Sequence, residues 1–108
     1  MKIIVSDAGP LIILAKTERL DLLENFFSYV FITPVVFKEI TQKNDAVKDL
    51  LEHADFIKVK DITKPQDYNT LLKLLDAGEA SAIVLAKEQN TMLLIDETPM
   101  PSFWHTWG

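Results

Sequence analysis

The chain has 108 residues, 48% of them hydrophobic, and carries 16 acidic against 11 basic side chains for a net charge of −5. That length suits one domain with one modest core, and the hydrophobic share excludes a disordered chain. The acidic balance argues against broad, nonspecific coating of nucleic acid, which relies on many phosphate-neutralising cations; it leaves room for a nuclease, whose centre is itself acidic. Cysteine is absent, which excludes a disulfide framework, a thiol nucleophile and a thiolate zinc site and fits the reducing cytoplasm. The opening Met1–Asp7 is too short an apolar run for a signal peptide. No run of 18 apolar residues occurs, so no membrane span is expected.

In chain order, Ile3-Ile4-Val5 is a β-branched run without alternation, the pattern of a strand covered on both faces. Gly9-Pro10 breaks it, and Pro10 suits the first turn of a helix. A helix pair is predicted from about 10 to 27, with Leu20, Leu23 and Phe27 sharing a face. Tyr29–Ile32 is the second strand. Thr33-Pro34 then starts a helix, with a hydroxyl cap followed by proline at the first helical position; it ends near Gln42. Asn44 or Asp45 caps another helix running to about Ala54. Phe56–Lys60 alternates apolar and basic residues, as an edge strand does. Residues 66–75 read as helical through Leu71, Leu72 and Leu75. A further helix spans Gly78 to about Gln89 and turns Ala80, Ile83, Val84 and Ala86 to the sheet. Met92–Ile95 is the fourth strand. Strands alternating with helices imply parallel pairing through right-handed crossovers and a three-layer α/β/α sandwich with about four strands. The domain is expected over 1–97, with an irregular tail over 98–108 that carries two prolines and both tryptophans.

Four acids stand just past a strand or in the helix after it: Asp7, Glu39, Glu79 and Asp96. In a parallel sheet those positions share one edge, where ligands bind. Taken singly, each has a plainer reading. Asp7 and Asp96 suit helix caps, and Glu39 suits a solvent-facing helical position. Asp76-Ala77-Gly78-Glu79 matches a capping box. Taken jointly, they meet an electrostatic constraint. Two carboxylates about 5 Å apart repel by roughly 3 kcal/mol at an effective dielectric near 20. Such a group must raise a pKa, draw in a cation or move apart. An all-oxygen site suits Mg²⁺ or Mn²⁺ better than zinc, and such an ion supports metal-assisted phosphodiester hydrolysis.

Other chemistries lack their residues. An aspartyl-phosphate enzyme wants a second acid two residues after Asp7, where Gly9 stands, and a phosphate-receiving domain wants paired acids where Ser6-Asp7 stands. Gly-x-x-x-x-Gly-Lys is absent. His53 reads as a surface residue near a helix end, and His105 lies in the tail. Ser6, Asp76 and Glu97 are auxiliary candidates beside the main acids, and Lys38 is a candidate phosphate contact or a solvated lysine.

These residues, in this order, resemble the PIN-domain family. The resemblance rests on Ile-Ile-Val-Ser-Asp-Ala-Gly-Pro-Leu-Ile at 3–12 and Ile-Thr-Pro-Val-Val-Phe-Lys-Glu-Ile at 32–40. It continues in Leu-Asp-Ala-Gly-Glu-Ala-Ser-Ala-Ile at 75–83 and Leu-Leu-Ile-Asp-Glu at 93–97. It is greatest to the small prokaryotic members, many of them VapC-type ribonuclease toxins silenced by a cognate antitoxin. It implies an α/β/α fold and Mg²⁺- or Mn²⁺-dependent cleavage of RNA. Asp7, Glu39, Glu79 and Asp96 carry over as metal-binding and catalytic acids, with Glu97 and Ser6 auxiliary. The family pattern continues past Glu97 with a further helix and a final edge strand, which this sequence replaces with its tail. Met92–Ile95 is then an open edge, covered by the tail or by a second copy in a homodimer. The altered end also supports a second reading, a catalytically weak or inactive PIN-like module that binds protein or RNA.

Overall fold

The computed structural model of the protein describes residues 2–43 and 45–95. The central strand, β1 (Ile3–Ser6), is buried along most of its length, as its unbroken apolar run requires. β2 (Tyr29–Ile32) lies on one side of it and β4 (Leu93–Leu94) on the other, while β3 (Ile57–Val59) pairs with the far side of β2, giving the order β3-β2-β1-β4. Every pairing is parallel. The strands are joined by α1 (Ala8–Lys16), α2 (Asp21–Phe26), α3 (Pro34–Lys43), α4 (Asp45–Glu52), α5 (Pro65–Leu71) and α6 (Ala77–Glu88). The result is the three-layer α/β/α sandwich that alternating strands and helices dictate. Val5, Val30 and Ile32 from the sheet meet Leu11, Val36, Ile40 and Leu85 from the helices in one core.

Local chemistry fixes the helix ends that matter for the site. Thr33 is buried, and its Oγ1 accepts the Val36 N–H at 3.1 Å, so the Thr-Pro start of α3 forms as the sequence predicts. Asp76 is the cap of α6, accepting the Glu79 N–H on Oδ1 at 2.8 Å. α6 ends where Asn90 takes a left-handed conformation (φ 51°), with Asn90 N–H and Thr91 N–H returning to the carbonyls of Lys87 and Ala86.

Three elements differ from expectation. The helix predicted over 66–75 stops at Leu71 and continues as turns, leaving Leu74 84% exposed. Asp76 must be extended (φ −71°, ψ 168°) to cap α6, so the chain leaves helical geometry before it, and α5 itself buries no residue fully. In α6, Ile83 is half-exposed, whereas Ser81, Ala82 and Leu85 are buried. That helix touches β1, β4, α3 and α5, so it is enclosed on most of its circumference rather than along one stripe. The fourth strand shrinks to Leu93–Leu94, because only Val5 and Ser6 of β1 pair with it, and Met92 is left exposed. Asp96, Glu97, His105 and the tail over 98–108 lie outside the described residues.

Candidate active site

Asp7 directly follows β1. Its backbone is extended (φ −79°, ψ 173°), and its Oδ1 accepts the Ala8 N–H at 2.8 Å, capping α1. Its own N–H donates to the Leu94 carbonyl at 2.9 Å. Asp7 is thereby held between the C-terminal ends of β1 and β4. On one side of β1 the chain proceeds to β2 and on the other it returns as β4, which makes this the switch point where open α/β sheets bind ligands.

Glu39 is half-buried in the second turn of α3, and α3 packs directly on α6. Where these elements meet, α6 contributes Gly78, which is buried and has no positive φ. A Cβ built on Gly78 would stand 2.7 Å from Glu39 Oε1, 3.4 Å from Asp7 Oδ1 and 3.5 Å from Asp76 Oδ1. Carboxylate oxygens from three separate segments therefore lie within 3.5 Å of one point.

Glu79, the next residue, feels the same charges. Its carboxyl pKa is raised above the ordinary 4.5, first by partial burial, then by a hydrogen bond with the Asp76 carboxyl and by the negative charges of Asp76, Asp7 and Glu39. That is the expected response of a carboxyl that loses water and gains like-charged neighbours.

Of the sequence candidates, the fold brings Asp7, Glu39 and Asp76 together with Glu79 beside them, while Asp96 and Glu97 fall outside the described residues. Ser6 is buried, and its hydroxyl donates to the Asp7 carbonyl at 2.9 Å, so it steadies the backbone there. Lys38 is exposed. His53 is exposed just past α4, with Nδ1 2.8 Å from the Asp49 carbonyl. Gly78 escaped sequence reasoning except as part of a capping pattern. The available signal was a glycine just inside a helix otherwise supplied with alanines, at a place with no need for a left-handed turn.

As the side chains stand, no group of three or more potential ligands among the described residues is arranged around one ion position. The acids converge on the Gly78 backbone, and Asp7 Oδ1 and Asp76 Oδ1 already accept backbone N–H groups. Two concavities open at the other end of the strands, sharing Thr91 and Met92, and neither is lined by these acids. The acidic convergence outweighs concavity as an indicator of chemistry here, because metal-assisted hydrolysis needs carboxylates, and none of the described residues lining those hollows is an Asp or Glu.

A family model described as PIN domain matches residues 3–103 of the chain. The chain belongs to the PIN-domain family. No curated protein and no solved structure matches it. PIN domains are in general nucleases and typically use divalent metal ions. The donor set of this PIN domain fits such a group: it is all carboxylate, and the space a Cβ would fill at Gly78 is left to oxygens. No helix among the described residues is long and apolar enough to cross a membrane.

Proposed function

We propose that this PIN domain is a Mg²⁺- or Mn²⁺-dependent endoribonuclease that hydrolyses RNA phosphodiester bonds. Asp7, Glu39, Glu79 and Asp96 are its metal-binding and catalytic acids, and Asp76, Glu97 and Ser6 support them. The observation that carries this reading is the meeting of Asp7, Glu39 and Asp76 oxygens around Gly78. A second supports it: Leu94, two residues before Asp96, accepts the Asp7 N–H.

A divalent ion supplies the positive charge that in-line displacement at a phosphodiester requires. Asp7 and Glu39 would hold it from opposite elements, β1's end and α3, so the hydrolytic geometry is set by the packing of sheet and helix rather than by a loop. Glu79 is half-exposed, and burial first, then the Asp76 hydrogen bond and the negative charges of Asp76, Asp7 and Glu39, raise its pKa; a bound cation would act in the opposite direction. In the cell the reading makes this chain a cytoplasmic toxin component, held silent by a cognate antitoxin and paired as a homodimer along β4.

The test is cleavage of RNA in Mg²⁺ or Mn²⁺ by the purified chain and by Asp7→Ala. Metal-dependent cleavage lost in the variant supports the proposal. Metal-independent cleavage, or an undiminished variant, contradicts it.

A second reading, a weak or inactive module that binds protein or RNA, is favoured by one observation. The Asp7 and Asp76 carboxylates are engaged in capping helices. Absence of any heat of divalent-ion binding at millimolar concentration selects that reading.

A further inference from the structure

We infer that Gly78 is a positioning residue: its bare Cα reserves the space into which Glu39 turns its carboxylate, and so sets where that carboxylate stands beside Asp7. The inference rests on the metal-site reading above but concerns a residue outside the ligand set. Glycine weakens a helix relative to alanine, and α6 already uses alanine at 77, 80, 82 and 86. The Gly78 backbone has no positive φ, so glycine's conformational freedom is not what position 78 needs. Space is what it needs. A Cβ there would approach Glu39 Oε1 to 2.7 Å, closer than real Cβ atoms come to any neighbour.

Either the helices separate or the carboxylate moves, and a buried chain of hydroxyls decides which. Ser81 Oγ donates to the Gly78 carbonyl at 3.0 Å. Since Ser81 spends its proton there, the 2.7 Å bond between Thr33 and Ser81 is donated by Thr33. Thr33 Oγ1 in turn accepts the Val36 N–H at 3.1 Å. The chain runs from the first turn of α3 to the carbonyl of Gly78 with every hydroxyl proton used once. It ties α6 to α3 at the level of the cradle, whereas Glu39 Oε1 is the far end of a flexible side chain. An added methyl therefore displaces the carboxylate and leaves the helices in place.

The test compares the full chain with Gly78→Ala by thermal melting and by calorimetric titration of Mn²⁺, and repeats the substitution in a Glu39→Asp background, where the carboxylate is one methylene shorter. The variant is expected to fold with an unchanged or raised Tm and to bind Mn²⁺ about 10–100-fold more weakly, the usual loss when a ligand's support is altered. In the Glu39→Asp background the added methyl should cost much less. Equal Mn²⁺ affinity in wild type and Gly78→Ala overturns the inference while leaving the metal reading intact. An equal loss in both backgrounds overturns it as well, because the effect would then bypass Glu39. Failure of Gly78→Ala to fold also overturns it, since the obstacle would be the core. If the wild type itself binds no Mn²⁺, the metal reading falls first and this inference with it.

Discussion

Thr33 and Ser81 lie 48 residues apart in sequence, yet their hydroxyls meet at 2.7 Å in the core, where both residues are almost completely buried. One begins the helix that carries Glu39 and the other sits in the helix that carries Gly78 and Glu79, so this bond ties together the two halves of the acidic site.

Ser81→Ala removes the acceptor for the Thr33 proton and a second donor to the Gly78 carbonyl, leaving the buried Thr33 hydroxyl without a partner for its proton. The expected cost is about 1–3 kcal/mol, read from urea unfolding at neutral pH. A loss within a few tenths of a kcal/mol would mean that the hydroxyl chain does not hold α3 against α6.

Glu79 makes stability fall as pH rises. Its carboxyl pKa is raised in the folded chain above the 4.5 of an unperturbed glutamate. Between those two values the folded state holds more proton than the unfolded state, so stability is greatest below 4.5 and declines up to the folded pKa. Without metal, Glu79→Gln should therefore raise stability at pH 7, and the gain should close as pH drops below 4.5. Glu79 is half-exposed, and solvent screening keeps the gain under about 1 kcal/mol. Melting curves between pH 4 and pH 7, about the range spanned by a shifted glutamate, check the sign; a variant less stable than wild type at pH 7 without metal would contradict it.

Glu88 has the opposite sign. Partial burial works to raise its pKa, but the Thr63 N–H and hydroxyl and the Lys64 N–H outweigh that and hold it below the ordinary value. These bonds, at 2.9–3.0 Å, fasten the segment leading into α5 to the last turn of α6. Their stabilising effect is present above 4.5 and lost as pH falls through the folded pKa. Glu88→Ala should speed amide hydrogen exchange at Thr63 and Lys64 by about tenfold, equivalent to roughly 1.4 kcal/mol of local opening, while the site acids stay in place. Unchanged exchange at both amides would show that the anchor is idle.

The strands and capped helices were legible because each rests on chemistry a few residues long. Thr33-Pro34 supplies a hydroxyl and a preset φ, and β1 supplies an apolar run that only a doubly covered strand accommodates. The errors fall where tertiary surroundings decide. Leu71, Leu72 and Leu75 carry a helical spacing, but none of them is fully buried, Leu72 is exposed, and the cap at Asp76 requires extended backbone. The sequence places Ile83 on the sheet side with Ala80, Val84 and Ala86, whereas in the fold it is half-exposed and α6 also packs on α3 and α5. Within the site, strand ends identified Asp7, Glu39 and Glu79 as neighbours on one edge, a consequence of parallel topology. Two roles for one side chain were harder to read. Asp7 and Asp76 each cap a helix and also place a carboxylate oxygen beside Gly78, a double placement that local spacing does not reveal. The spacing role of Gly78 depends on a long-range approach of α3 and leaves almost no trace in local sequence.

The most direct measurement is anomalous diffraction from crystals soaked in Mn²⁺. The account predicts an ion peak beside Gly78, ligated by carboxylate oxygens of Asp7 and Glu39. Saturating Mn²⁺ with no peak there, or a peak held by other residues, would contradict it.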